Sequence, residues 1–126
     1  MSEPAASLER EELPSAAVFH GVKVTFDVPP SFAIRNEIAY SATTNAQRAY
    51  AAALGICWGD LQRRVRYRMD PLDYGGRVID YLCGEGWEYL EVIGAGQLAY
   101  AHLTRGLFNE REVKDVENFT GPTGEK

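Results

Sequence analysis

The sequence predicts an α+β fold that is mostly α, in which a short N-terminal β-hairpin packs on about five helices. Apolar and polar residues alternate in the N-terminal segment before Pro29, and after Ser31 most apolar residues recur at helical spacing. The chain has 126 residues, which is enough for one domain with its own hydrophobic core. We expect it to fold alone or as a small homo-oligomer.

The hairpin is predicted by two short apolar stretches on either side of His20 and Gly21. In the second stretch polar residues alternate with apolar ones, so that one face of the strand meets the core. The residues predicted on that face are Val22, Val24, Phe26 and Val28. Two prolines at 29–30 end the strand.

Helices are predicted after Ser31, which is placed to cap the first one, and over about 45–58, 70–84, 88–107 and 109–119. The first helix carries Phe32, Ile34, Ile38 and Ala42. The helix over 45–58 has small residues that allow tight packing, and the Asp70-Pro71 pair is a strong start signal for the next. The buried side of that third helix is predicted to contain Leu72, Gly75, Ile79, Leu82 and Cys83.

Residues 64–69 switch to a period of two after the second helix. We interpret this segment as an extended connector. Pairing with the hairpin, as a third short edge strand protected by charge, remains an alternative.

Charge is concentrated at the two ends of the chain, whose formal net charge is -5. Residues 1–12 hold four acids and one Arg, and residues 110–126 hold five acids and three bases, so the middle is neutral. We therefore expect residues 1–14 to be a flexible acidic tail, 15–119 a single globular domain, and 120–126 a flexible C-terminal tail. Bulk attraction to nucleic acid is not expected.

The sequence favours a cytoplasmic protein. No apolar run approaches the roughly 20 residues that span a bilayer, and the N-terminus lacks the features of a secretion signal. Cys57 and Cys83 fall on separate predicted helices without a Cys-x-x-Cys spacing. In a reducing compartment we expect two small buried thiols rather than a disulfide.

Residues 92–99 read Val-Ile-Gly-Ala-Gly-Gln-Leu-Ala, the spelling of a dinucleotide-binding turn. Such a turn needs a second parallel strand and an acidic residue about 20 positions on, whereas only a charged helical pattern follows Leu107. At helical spacing the same region has one apolar stripe, formed by Tyr89, Val92, Ile93, Gly96, Ala99, Tyr100, Leu103 and Leu107. We therefore expect a helix in which the glycines allow a neighbouring helix to come close.

Residues suited to catalysis are scarce. His20 is predicted in the hairpin turn and His102 beside the apolar stripe of the long helix, and neither belongs to a metal-binding spacing. Glu88 and Glu91 lie near a helix start, where carboxylates suit the helix dipole. We expect no catalytic residue, no metal and no cofactor. An enzyme that uses His102 and nearby carboxylates remains an alternative.

The clearest charge feature is an Arg-rich strip at 63–68, in which four arginines surround one aromatic residue. Guanidinium groups suit phosphates or an acidic partner, but the same arginines could pair with Asp60, Asp70 and Asp73 nearby. Aromatic residues near helix ends either fill the margins of the core or anchor a partner. The candidate partner-binding residues are Trp58, Arg63, Arg64, Arg66, Tyr67, Arg68 and Trp87.

Several segments together resemble a known family. Residues 19–26 have the hairpin sequence Phe-His-Gly-Val-Lys-Val-Thr-Phe, Ser31 opens a helix, and residues 48–58 are alanine-rich and end in Cys-Trp. Residues 109–119 contain Asn-Glu-Arg-Glu-Val and end in Asn-Phe. In this layout, over most of residues 16–120, the chain resembles small tail assembly chaperones of long-tailed bacteriophages and prophages.

The resemblance implies a non-catalytic protein of the host bacterial cytoplasm. Such a protein coats the tape measure protein, recruits tail tube subunits and leaves the finished tail. The resemblance supplies no binding residues, so the candidate residues rest on the arginines and aromatics alone. The alternative is a small phage- or plasmid-encoded inhibitor that binds a host defence protein.

Overall fold

The computed structural model describes residues 13–27, 31–68 and 70–105. The described part has two strands and five helices, and it confirms the predicted α+β, mostly α class. The elements are β1 (Ala16–Phe19), β2 (Val22–Thr25), α1 (Phe32–Ser41), α2 (Ala46–Cys57), α3 (Gly59–Arg64), α4 (Pro71–Gly84) and α5 (Tyr89–Arg105). Residues 1–12 of the predicted N-terminal tail, the predicted C-terminal tail, the helix over 109–119 and the predicted core positions Val28 and Leu107 lie outside the described residues.

The hairpin pairs β1 with β2 in antiparallel register, with Phe19 opposite Val22. His20 and Gly21 form its two-residue turn and both have positive φ, 54° and 71°, as a type I′ turn requires. The predicted core-facing residues Val24 and Phe26 are buried. The prediction was wrong for Val22, which is 38% exposed, because it lies next to the turn at the tip of the hairpin.

Helix α2 is the centre of the molecule and packs most extensively against α5 and α4. Residues 51–55 are all buried, and four of these five are small. Small side chains let the flanking helices approach the α2 backbone, as the sequence predicted. Two glycines of the flanking helices lie against the α2 backbone: Gly75 of α4 against the Arg48 carbonyl, and Gly96 of α5 against the Tyr50 carbonyl.

The predicted helix starts are confirmed. The Ser31 hydroxyl accepts a hydrogen bond from the Ile34 amide at 3.2 Å, and Asn45 Oδ1 accepts one from the Arg48 amide at 3.1 Å. Asp70 Oδ1 accepts from the Leu72 amide at 3.1 Å. Each side chain satisfies an amide that has no partner within its own helix.

Helix α4 ends in a Schellman motif. Gly86 has a φ of 100°, the Gly86 amide donates to the Cys83 carbonyl at 3.0 Å, and the Trp87 amide donates to the Leu82 carbonyl at 3.0 Å. A left-handed residue reverses the chain in this motif and usually brings together the apolar residues on either side of it. The motif therefore holds Trp87 close to Leu82.

Besides Val22, the predicted burial is wrong for Cys83 of α4 and for Tyr89, the first residue of the predicted apolar stripe, which is 45% exposed at the start of α5. Cys83 is exposed, because the buried face of α4 is rotated toward Tyr74 and Val78, and a neighbour of Leu82 lies about 100° away around the helix. Phe32 is 57% exposed. It is the first residue of α1, and Ile38 is the residue of that helix that is fully buried.

The segment after α2 also differs from the prediction. Gly59–Arg64 is a short helix that the sequence analysis missed, so Arg64 is not in a strand. Residues 65–68 are an extended connector, and the sheet of the described part contains β1 and β2 only. The Gln62 side chain explains this path, because it donates to the Gly55 carbonyl and accepts from the Tyr67 amide, both at 2.9 Å. Gln62 of α3 thus joins the connector to α2.

Candidate partner-binding groove

A groove of about 400 Å³ lies between α3, the C-terminal end of α4 and the hairpin turn. It brings together four of the seven residues that the sequence singled out for partner binding, namely Trp58, Arg63, Arg64 and Trp87. Its full lining is Val22, Trp58, Asp60, Leu61, Arg63, Arg64, Tyr81, Leu82, Glu85 and Trp87.

The floor of the groove contains two tryptophans. Trp58 follows the last residue of α2 and Trp87 follows the Schellman turn of α4, and their ring centroids are 5.9 Å apart. Their exposed fractions are 8% and 6%. Both rings therefore fill the margin of the core, and only their edges are left to contact a partner.

The rim of the groove carries both signs of charge. Arg63 forms an ion pair with Asp60 one turn earlier in α3. Arg64 instead donates from Nη1 to the Tyr81 hydroxyl at 3.2 Å. This hydrogen bond raises the pKa of Arg64 and orients its guanidinium without neutralising it. Among the described residues Arg64 forms no ion pair.

Within the described ranges, the alternative in which the arginines of the strip pair with nearby acids holds for Arg63 alone. Asp73 pairs with Arg77 at 3.0 Å, and Asp70 is occupied in capping α4. In water, exposed pairs of this kind contribute little to stability. The guanidinium of Arg64, which is hydrogen-bonded to Tyr81 and forms no ion pair among the described residues, is consequently the strongest candidate for a charged contact with a partner.

The rest of the Arg-rich strip faces elsewhere, because the chain leaves the α3 helix at Val65 and continues extended. Arg66 is exposed and does not line the groove. The Tyr67 hydroxyl donates to Glu37 at 2.7 Å, and burial, followed by this hydrogen bond, raises the pKa of Tyr67. Arg68 borders a second hollow beside α1. The sequence strip is therefore divided between two surfaces.

Both histidines hold the hairpin in place. His20 Nδ1 lies 3.1 Å from Glu91 Oε1, and the His20 ring stacks on Trp87 with centroids 5.6 Å apart. His102 Nε2 lies 2.6 Å from the Pro14 carbonyl oxygen. Since a carbonyl oxygen only accepts, Nε2 of His102 carries the proton.

Glu91 links the hairpin turn to the start of α5. Its Oε1 accepts a hydrogen bond from the Glu88 amide at 2.8 Å and also meets His20. The bond to Glu88 is one half of a capping box. The predicted position of Glu88 and Glu91 near a helix start is confirmed, but no pattern in the sequence indicated that Glu91 orients the turn beside the groove.

The glycines of the dinucleotide-like motif lie inside helix α5 rather than in a turn. An added Cβ at Gly96 would lie 2.6 Å from the Tyr50 carbonyl oxygen, so the predicted close approach of a helix is confirmed there. It is wrong for Gly94, whose added Cβ would meet only the Phe19 ring at 3.8 Å. The described residues contain no group of three or more potential metal ligands.

Sequence reasoning missed the α4 side of the groove. Tyr81 and Glu85 are one helical turn apart, and both line the groove. The signal was available in part: Gly86 followed directly by Trp87 is the pattern of a Schellman motif with an apolar residue after it. No pattern in the nearby sequence indicated that Val22, which follows the hairpin turn, lines the groove.

No protein-family model matches the chain, and no match exists among the curated proteins or among the solved structures. Within the described ranges, no helix has the length and apolar character needed to cross a membrane.

Proposed function

We propose that this protein is a non-enzymatic protein-binding module of a bacteriophage or prophage, a tail assembly chaperone that binds tape measure and tail tube proteins. The groove between α3, α4 and the hairpin turn supports this proposal. It joins an aromatic floor at Trp58 and Trp87 to a charged rim at Arg63 and Arg64. The segments that resemble tail assembly chaperones supply the identity of the partners.

The composition of the groove suits a protein partner. Trp, Tyr and Arg dominate the energetics of protein interfaces, where a desolvated centre is surrounded by polar groups. Here Trp87 and Leu82 lie at the bottom and the charged groups lie on the rim. An apolar side chain entering from a partner would displace water from the floor, and the rim charges would orient the rest of the segment.

Charge favours a protein over nucleic acid. Asp60 and Glu85 line the same groove as Arg63 and Arg64, so the site has no excess of positive charge. A phosphate backbone would meet both carboxylates, and nucleic-acid affinity depends mainly on uncompensated cations.

Affinity capture with matched variants tests the proposal. The intact chain, an Arg64→Glu variant and an Arg66→Glu variant are used as bait in host cells that carry the gene with its neighbouring genes. Both substitutions reverse the charge of an exposed arginine, but only Arg64 lines the groove. We expect the intact chain and Arg66→Glu to retain a long helical scaffold protein and tail tube subunits, and Arg64→Glu to lose them.

Other results would contradict the proposal. Retention of the same partner by all three baits would show that the groove is not the contact surface. Capture of a nuclease or another defence protein would favour a function as an inhibitor of host defence over a function as a tail assembly chaperone. Genes for tape measure and tail tube proteins beside this gene would support the chaperone independently.

A further inference from the structure

The outward face of helix α1 is aromatic and nearly free of charge. Phe32 is 57% exposed and Tyr40 75% exposed, whereas the exposed face of a helix ordinarily carries charged and polar residues. The one charged residue of this face, Glu37, lies about 100° around the helix from Asn36 and accepts a hydrogen bond from the Tyr67 hydroxyl at 2.7 Å. The centre of the face is therefore uncharged. Its five exposed members are Phe32, Ala33, Asn36, Glu37 and Tyr40.

The outward face is arranged symmetrically about Asn36. Phe32 lies four residues before Asn36 and Tyr40 four residues after it, so these side chains form one ridge along the helix. In a two-fold contact between identical chains, residue i contacts residue j and residue j contacts residue i. With Asn36 on the axis of an antiparallel pair, Phe32 of each copy meets Tyr40 of the other. The ridge is thus complementary to itself.

Charge also favours a second copy in this direction. Helix α1 has no acidic residue in its first turn and no basic residue in its last turn, so its own side chains do not offset the helix dipole. An antiparallel pair brings opposite dipole ends together, whereas a parallel pair brings like ends together. A two-fold axis also juxtaposes identical residues, and an uncharged centre avoids the repulsion that like charges would cause there. The Asn36 amide both donates and accepts, so two of them can bond to each other at the axis.

We propose that two copies of this chain associate through the outward face of α1, with the two helices antiparallel and Asn36 at the two-fold axis. This inference goes beyond the proposed function and does not depend on it, because the groove between α3, α4 and the hairpin turn is lined by residues of other elements.

The area of the contact sets its strength. An aromatic side chain buries roughly 200 Å², so the exposed parts of Phe32 and Tyr40 in two copies supply roughly 500 Å². Stable specific interfaces bury about 1,200 Å² or more. We therefore expect a weak dimer, with a dissociation constant above the micromolar range.

Sedimentation of the full chain from about 10 µM to about 1 mM tests the association, since this range covers weak dimers. We expect the average mass to rise from that of one chain toward that of two. Tyr40→Lys places an unpaired charge at two points of a two-fold contact, so it should weaken association at least about 10-fold. Leu90→Lys is the matched control, because Leu90 is 77% exposed on α5 and is not part of the face.

A double variant tests the direction of the helices. Phe32→Glu combined with Tyr40→Lys brings opposite charges together in an antiparallel pair and like charges together in a parallel pair. Both side chains are exposed, so the variant should fold. We expect it to associate more tightly than either single variant and to lose this gain at high salt.

Cross-linking tests the position of the axis. Asn36→Cys is made in a Cys83→Ala background, which removes the exposed native thiol. Helices packed about 8–10 Å apart bring Cα atoms at their crossing point to about 4–6 Å, a separation that suits a disulfide. We expect covalent dimers to form at least about 10-fold faster than with Gln47→Cys in the same background, because association raises the local thiol concentration. Gln47 is exposed on α2.

Several outcomes would overturn the inference. The mass of one chain at every concentration excludes the dimer, and slow reaction of the Asn36→Cys thiol with a disulfide reagent would then show that the chain itself covers the face. Equal association of Tyr40→Lys and Leu90→Lys, or equal cross-linking of Asn36→Cys and Gln47→Cys, would place the contact elsewhere. Loss of the captured partner by a monomeric Tyr40→Lys chain would assign the face to that partner. The capture experiment with Arg64→Glu decides the proposed function separately.

Discussion

Gly96 of α5 lies directly against the backbone of Tyr50 in α2. A Cβ added at position 96 would be 2.6 Å from the Tyr50 carbonyl oxygen and 2.7 Å from the carbonyl carbon. Backbone atoms in the middle of a buried helix cannot move aside as the end of a side chain can. The packing of the two central helices therefore depends on the missing side chain at this position.

We expect Gly96→Ala to lower the free energy of unfolding by about 2 kcal/mol, since overpacking a well-packed site costs about 1–3 kcal/mol. Gly94→Ala is the matched control, because its added Cβ meets only the Phe19 ring at 3.8 Å. There the gain in helix propensity should raise stability by about 0.5–1 kcal/mol. Urea unfolding measures both, and equal stabilities of the two variants would refute the close approach.

Gly75 makes a tighter contact on the other side of α2. Its added Cβ would lie 1.9 Å from the Arg48 carbonyl oxygen, so Gly75→Ala should cost about 3 kcal/mol or more and lower Tm by roughly 10 °C. In the control Gly76→Ala, the nearest atoms belong to the end of the Arg48 side chain, at 3.1 Å, which can shift more easily than backbone. Its Tm, followed by circular dichroism, should change by only a few degrees; a similar loss in both variants would contradict this account.

Local signals were sufficient to predict most of the fold. The start of α4 is specified by Asp70 before a proline, and the start of α2 by Asn45 before an alanine-rich stripe. The hairpin is specified by two turn residues between apolar stretches. The helix reading of residues 92–99 was correct for the same reason, because its apolar period continues on both sides of Gly96. Each of these features depends on residues within about one or two turns.

The missed features depend on contacts between distant segments. Helix α3 is only six residues long, too short for a periodic pattern, and Gln62 fixes its exit by bonding to α2 and Tyr67. The Arg-rich strip looked continuous because its sequence is continuous, yet the change from helix to extended chain at Val65 separates Arg64 from Arg66. The residue types of the groove could be predicted from the sequence, but not which of these residues lie together in it.

Alkaline pH should destabilise the protein through buried acids. Burial raises the pKa of the Cys57 thiol from 9.0 to about 12 and also raises the pKa of Tyr74 and of Tyr100. Below pH 9 the Cys57 thiol keeps its proton in both the folded and the unfolded chain, so it does not change the free energy of unfolding. Between pH 9 and 12 the unfolded chain releases a proton that the folded chain retains, so stability falls with rising pH.

The expected slope from Cys57 approaches about 1.4 kcal/mol per pH unit, and the tyrosines add to it above pH 10. Urea unfolding at pH 8, 9, 10 and 11 measures the decline. A Cys57→Ala variant is less stable at pH 8, because it leaves a cavity, but should lose less stability between pH 9 and 10. Parallel curves for the variant and the natural chain would contradict ionisation of this thiol as the cause.

The two thiols should differ sharply in reactivity. Cys83 is exposed on α4, whereas Cys57 is buried, and a raised pKa keeps its sulfur in the unreactive thiol form. A disulfide reagent at pH 8 should modify one thiol per folded chain within seconds and the second only on unfolding. The Cys83→Ala variant should show almost no fast reaction, and a fast reaction in that variant would place Cys57 within reach of solvent.

His102 should stabilise the hairpin rather than act as an acid or base. Its Nε2 donates to the Pro14 carbonyl oxygen at 2.6 Å, and its ring stacks on Phe26 with centroids 5.3 Å apart. In His102→Ala we expect the amides of Phe26 and Asp27, bonded to Ser15 and Cys57, to exchange about 5-fold faster, the equivalent of one hydrogen bond.

The control His102→Gln keeps a donor for the Pro14 carbonyl but loses the ring, so its exchange rates should fall between those of the natural chain and His102→Ala. Amides in the middle of α2, such as that of Ala52, should be unaffected in both variants because they lie in the central helix and not at the hairpin. Hydrogen exchange followed by NMR resolves these sites individually. If Phe26 and Asp27 exchange at the natural rate in His102→Ala, the ring has no part in holding the hairpin, and its catalytic alternative regains weight.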